Sequence, residues 1–372
     1  MHVDLENWYK PSLDKKKLKE LSRRRDLPGL IHFFIYFLSL FLSGYLAYIT
    51  WGTVWTVFFF FIYGTIYAFS VANWHETVHR TAFKTRWINE FFYHISSFMC
   101  DFEGFRWRWS HTFHHTKTLQ TEDDYDHEIQ VSRPTELITF FLNFIPLTDL
   151  LFPHKLIKYE VIKHSFGILS PVVKISAPEN QKKKIIWNSR FYVLIWLSVI
   201  VWSIYIWSIL PILFIILPTY IGKPIWFAVN VTQHLAAKID TKDHRLSTYS
   251  VRINPILSFL YWHMEYHLEH HMFPMVPSYN LKKLREEVDD QLPKPFKNLY
   301  DFYKSVLPSL IALAYNPDNY YKVNLKKLRE EIDDQLPRPF KSLYDFYKSV
   351  LPSVIALAYN SDNYYKVNLK TK

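Results

Sequence analysis

The chain has 372 residues, 49% of them apolar and 19% aromatic, with 44 Lys and Arg against 34 Asp and Glu for a net charge of +10. Its single cysteine, Cys100, excludes a disulfide framework, a CxxC iron–sulfur ligand set and a Cys-rich structural zinc. The basic residues flank apolar runs and are interleaved with carboxylates, so they read as a membrane-facing solvated surface and argue against nucleic-acid binding.

Residues 1–28 form a polar tail carrying eight Lys or Arg, which the positive-inside rule keeps cytoplasmic, and no cleavable signal peptide is expected ahead of the first apolar run. Apolar runs at 30–50 and 53–73 are each long enough for a bilayer core of about 20 residues. No Lys or Arg lies between them, so they predict a hairpin that returns the chain to the cytoplasm just before His75. Within the largely polar stretch 74–188, Ile88, Phe91, Phe92, Ile95 and Phe98 predict an amphipathic helix along the interface. The run 137–152 is apolar but short, broken by Pro146 and charged at Asp149, and it reads as interfacial. Runs at 191–210 and 211–231 predict a second hairpin. The last holds Pro218, Pro224 and Lys223, tolerated at membrane depth only against protein or a cavity.

Three histidine clusters sit at the edges of these runs: His75-Glu-Thr-Val-His79, His111-Thr-Phe-His-His115 and Glu265-Tyr-His-Leu-Glu-His-His271. Residues three and four apart share a helical face, so His75 with His79, His111 with His114 and His115, and His267 with His270 and His271 each present imidazoles to one side. One transition metal rarely takes more than six ligands, so eight histidines imply two metals. Asn230 and His234, again four apart at the end of the fourth run, are a candidate weak or water-mediated ligand and a candidate ninth ligand; a capped helix end with a surface histidine is the bland reading. Glu76, Glu265 and Glu269 lie inside the clusters, where a carboxylate accepting the second ring N–H of a ligand would fix its tautomer. The acidic run Asp123, Asp124, Asp126 and Glu128 is read as holding Arg106 or Arg108, or as solvated.

Other chemistries compete for these residues. HETVH also spells HExxH, which would make an intramembrane zinc metalloprotease with Glu76 as general base. A catalytic zinc takes three protein ligands and an open position, leaving the other clusters surplus. A soluble-type diiron bundle needs two Glu-x-x-His pairs, of which only Glu76 with His79 is present. A metal transporter would carry ionisable groups inside its spans.

Residues 280–323 and 324–367 are the same 44-residue segment twice, differing only at 288/332, 294/338, 298/342, 310/354 and 317/361. Two copies are too few for a solenoid and read as a tandem duplication. In the first copy Leu281, Leu284, Val288 and Leu292 predict an amphipathic helix.

HETVH, HTFHH and HLEHH, with the following Phe273-Pro274-Met-Val-Pro277, resemble the three histidine boxes of the membrane fatty acid desaturase and hydroxylase family, over roughly residues 25–323. The resemblance implies an all-α membrane protein with four spans in two hairpins and a helical cytoplasmic cap, with residues 29–279 as the catalytic domain, in a bacterial inner membrane or an ER membrane. It also implies two non-haem irons held by the eight box histidines, with dioxygen as co-substrate and desaturation or hydroxylation of a fatty acyl chain or lipid as the reaction. The Asn230–His234 spacing is similar to the extra Asn-x-x-x-His ligand pair of acyl-CoA desaturases. The stretches Thr81–Trp87 and Trp107–His111 resemble a bacterial branch proposed to oxidise small amino compounds such as rhizopines, a monooxygenase alternative. Electrons would come from a separate ferredoxin, Rieske-type protein or cytochrome, and the basic face is a dock for such acidic donors. In that family the chain would end near residue 323.

Overall fold

The computed structural model describes residues 8–121, 126, 137–313, 315–316, 318–323 and 325. The described chain is helical, with no strand. Four helices are long and apolar enough to cross a membrane: Asp26–Ile49, Val54–Val78, Glu179–Tyr205 and Ile212–Gln233. They form an all-α integral membrane fold, and residues 50–53 and 206–211 turn the chain between partners. Large apolar side chains face outward along these helices, among them Phe41, Val57, Leu194 and Ile204. Such continuous apolar exposure is lipid-facing surface.

The helices overrun the apolar runs that announce them. The second continues past Asn73 through His75 to Val78, with only a local break at Phe69. The first histidine cluster therefore grows out of the same helical stretch as the second apolar run. The third starts at Glu179, twelve residues before its apolar run, because Pro178 caps it and the intervening Lys182, Lys183 and Lys184 are good helix formers. It stops at Tyr205, where Trp207 takes a positive φ of 50°.

The fourth span opens with a π-helical turn at Ile212–Ile216 and restarts at Pro218, which removes a backbone donor. Lys223 inside it pairs with Asp149. That acid belongs to the run 137–152, which folds as the short helix Leu137–Leu142 and the turn Thr148–Leu151 and lies against the fourth span without crossing. Pro146 and Asp149 are what deny it spanning length.

The second and fourth spans touch backbone to backbone. A Cβ on Gly222 would lie 2.0 Å from the Gly64 carbonyl carbon and oxygen. Small residues allow such approach and leave no room for a methyl group. Gly222→Ala is expected to cost about 1–3 kcal/mol or more through overpacking. The thermal unfolding midpoint of detergent-purified protein reads this out, and an unchanged midpoint would contradict the contact.

The helix Arg86–Met99 is amphipathic as its pattern predicts, but its polar face is the inner one. Asn89, Tyr93, Ser96 and Ser97 are buried, and the Asn89 amide donates to the Thr77 carbonyl at 2.7 Å. Trp87 and Phe91 point outward.

The first 44-residue segment is part of the body. Leu281, Leu284, Val288 and Leu292 are all buried, Val288 and Leu292 against Leu268 of the third cluster. Helix Leu299–Leu313 packs Phe302, Val306 and Leu310 against Phe227, Val231 and Leu235. The second copy, apart from Leu325, lies outside the described residues.

Candidate metal centre

Each histidine cluster sits on a helix whose local sequence explains it. Helix Ser70–Val78 carries His75, and His79 caps it. Helix Gly104–Thr116 carries His111, His114 and His115 and starts at Glu103, whose carboxylate accepts the N–H groups of Phe105 and Arg106 at 3.2 and 2.7 Å. Burial pushes the Glu103 carboxyl up to about 7, against the pull of these hydrogen bonds. The short helix His267–Met272 supplies the third cluster, and His234 follows the last turn of the fourth span.

The nine histidines form two sets. His75, His79, His111, His115 and His270 offer nitrogens that all lie within 4.8 Å of one another, and so do His114, His234, His267 and His271. Neighbours in sequence are divided between sets, since His114 and His115 part company, as do His270 and His271. The second and third clusters thus serve both sets, whereas the first serves one.

The spacing within the sets suits metal ions. Adjacent ligands at about 2.1 Å from one ion in a right-angled arrangement stand about 3 Å apart. The Nε2 atoms of His79 and His111 are 2.9 Å apart and those of His79 and His270 3.2 Å. In the second set, His267 Nε2 lies 3.0 Å from that of His271 and 3.1 Å from that of His234. Both ring nitrogens of His75 and of His115 are buried with no hydrogen-bond partner. Buried polar atoms of this kind call for a ligand.

Protonation also fits. Burial drives the His79 imidazole down to about 3, and it holds His115, His267, His270 and His271 well below the usual histidine range, with neighbouring imidazoles adding to the effect. Neutral rings are the form that binds metal.

Three rings of the second set have their tautomers fixed from behind. His114 Nδ1 lies 2.6 Å from the Asp126 carboxylate and His234 Nδ1 2.8 Å from the Ser247 carbonyl, so both must donate there. The Thr118 hydroxyl already donates to the His114 carbonyl, so at 3.2 Å it accepts from His271 Nδ1. Each ring therefore presents its Nε2 lone pair to the set.

The sequence misplaced this support. Asp126 holds His114, while Arg106 pairs with Glu160 and Arg108 with Glu90. Asp123, Asp124 and Glu128 lie outside the described residues. The orienting role expected of the three glutamates falls elsewhere. Glu269 accepts from Ser250 at 2.6 Å and pairs with Arg285 at 2.8 Å. Glu265 accepts from the Ser258 hydroxyl, and Glu76 from the Ser278 backbone N–H at 3.3 Å. They tie the third cluster and its following loop to the rest of the cap. Asn230 ends the fourth spanning helix and is half-buried. His244, which no spacing singled out, lies buried with its ring 5.1 Å from that of His271.

A sequence profile described as fatty acid desaturase matches residues 49–303. The chain belongs to the fatty acid desaturase family. No curated protein sequence matches it. The desaturase-family match covers all three histidine clusters and His234, and it ends inside the helix Leu299–Leu313. It indicates an oxidoreductase enzyme and a membrane site built on histidine. The protease reading is not favoured, because His75 and His79 converge with three further imidazoles and Glu76 is engaged by Ser278.

Proposed function

We propose that this chain is a diiron oxidoreductase that desaturates fatty acyl chains at the cytoplasmic face of a membrane, using dioxygen and electrons from a separate carrier protein. The observation that supports it most is the division of nine buried histidines into a set of five and a set of four. In this reading His75, His79, His111, His115 and His270 would hold one iron. His114, His234, His267 and His271 would hold the other, with Asn230 contributing through water. The irons would supply oxidation of an unactivated C–H bond with dioxygen and two external electrons.

The chain's own residues do the rest. Asp126, Thr118 and the Ser247 carbonyl keep three rings in the tautomer that leaves Nε2 free. Arg285 and Ser250 neutralise and satisfy the buried Glu269, so the helix bearing His267, His270 and His271 carries no unpaired charge. Trp74, Phe102 and Trp107 pack beside His111 and exclude water from that flank.

Elemental analysis with Mössbauer spectroscopy on iron-loaded, detergent-purified protein tests the metal assignment, with about two irons per chain in a nitrogen-rich environment as the expected result. One zinc and no iron would overturn it. Product analysis after incubation with acyl lipids, dioxygen and a reduced ferredoxin then looks for a new double bond.

A further inference from the structure

Immediately before the first span lies an open-sided cleft of about 710 Å³, lined by Ser22, Arg23, Arg24, Arg25 and Lys84. Among the described residues none of its four cations forms an ion pair, although cations elsewhere in the cap do, as Lys17 does with Glu287 and Arg80 with Glu90. Asp26, the acid next to them, accepts the Thr85 N–H and hydroxyl at 2.8 Å each, and its one charge faces Lys84 without forming a close ion pair.

The cleft is also held in shape. The Tyr279 hydroxyl donates to the Arg23 carbonyl at 3.3 Å and accepts the Arg25 N–H at 2.9 Å, while the Asn280 amide donates to the Leu21 carbonyl at 2.7 Å. The arginines thus hang from a backbone pinned at three points.

An apolar track begins where the charges end. Leu27, Leu30, Ile31 and Phe34 are exposed at helical spacing on one face of the first span, and Leu38, Phe41, Leu42 and Tyr45 continue it. On the Lys84 side, Trp87 is 71% exposed and Phe91 56%, at the start of the amphipathic helix Arg86–Met99. Four cations with one neighbouring carboxylate, Asp26, and no close ion pair among the described residues lie above a lipid-facing stripe and match a molecule with a phosphate head and acyl tails.

We propose that this cleft binds the phosphate headgroup of an anionic phospholipid, whose tails lie along the outer face of the first span. The site is separate from the histidine sets, and its occupancy does not rest on the metal or the reaction assigned to them.

The test is lipid retention. Protein stripped of lipid by detergent exchange is incubated with equal amounts of dioleoylphosphatidylglycerol and dioleoylphosphatidylcholine and examined by native mass spectrometry. Wild-type chain is expected to keep a single phosphatidylglycerol with a preference of about tenfold, and Arg24→Gln with Lys84→Gln to bring this close to parity. Charge-preserving Arg24→Lys should restore most of it, and unchanged metal content shows that the variants are folded. Equal retention of both lipids by wild type, or a preference that survives the double variant, would overturn the proposal. Complete displacement of the lipid by millimolar inorganic phosphate would overturn it in favour of a soluble phosphate ligand.

Discussion

On the two-iron reading, His271→Ala is expected to lower turnover by about a thousandfold or more and to leave about one iron per chain, with the protein still inserted in the membrane. The set that loses a nitrogen has four imidazoles, one fewer than its neighbour, and His271 Nε2 stands 3.0 Å from His267 Nε2 at its centre. His271 also stacks its ring on His115 of the other set at 4.3 Å between centroids, so the change loosens both. His115→Ala is the companion, emptying the five-membered set first. Metal analysis and turnover on the same preparations check the pair. Retained activity in both variants would remove the two-metal reading.

The second large effect is expected at Asp126, a residue that binds no metal in this reading. Asp126→Ala frees the His114 ring to rotate and to move its proton to Nε2, weakening metal at the second set by about 10–100-fold. It also strips the Leu119 N–H of its acceptor, which costs about 1–3 kcal/mol of stability. Asp126→Asn separates these losses, since an amide oxygen can still accept from His114. A metal titration in which alanine weakens one of two sites and asparagine weakens it less is the expected pattern. Equal loss at both sites would assign Asp126 a merely structural part.

What could be read from the sequence follows what is periodic. Spans betray themselves by length, and histidines three and four apart must share a helical face, so the four spans and the eight box histidines were legible before any coordinates. His234 was legible more weakly, through its offset from Asn230 at the end of an apolar run. The supporting groups carry no such signal. Asp126 lies twelve residues beyond His114, off any single-turn helical spacing, Thr118 serves His271 from another helix's end, and Ser247 acts through a backbone carbonyl that every residue possesses. The glutamates misled because nearness in sequence on a short helix says nothing of which way a carboxylate turns. Span ends misled for a related reason: hydrophobicity marks where lipid stops, whereas a helix stops only where its backbone is capped or broken.

The continuation of the second spanning helix, past its break at Phe69, into the first histidine cluster would make bilayer thickness a variable of the histidine site. A spanning helix answers a thicker or thinner hydrocarbon layer by tilting or shifting, at fractions of a kcal/mol per Å. Here such a tilt would carry His75 and His79 with it, while His234 rides on the fourth span. The Gly64–Gly222 contact brings those two helices together at mid-height, and so close a backbone approach would resist their sliding past one another. Such a contact would act as a gauge block, holding an ångström-scale arrangement of histidines steady in a solvent whose depth varies.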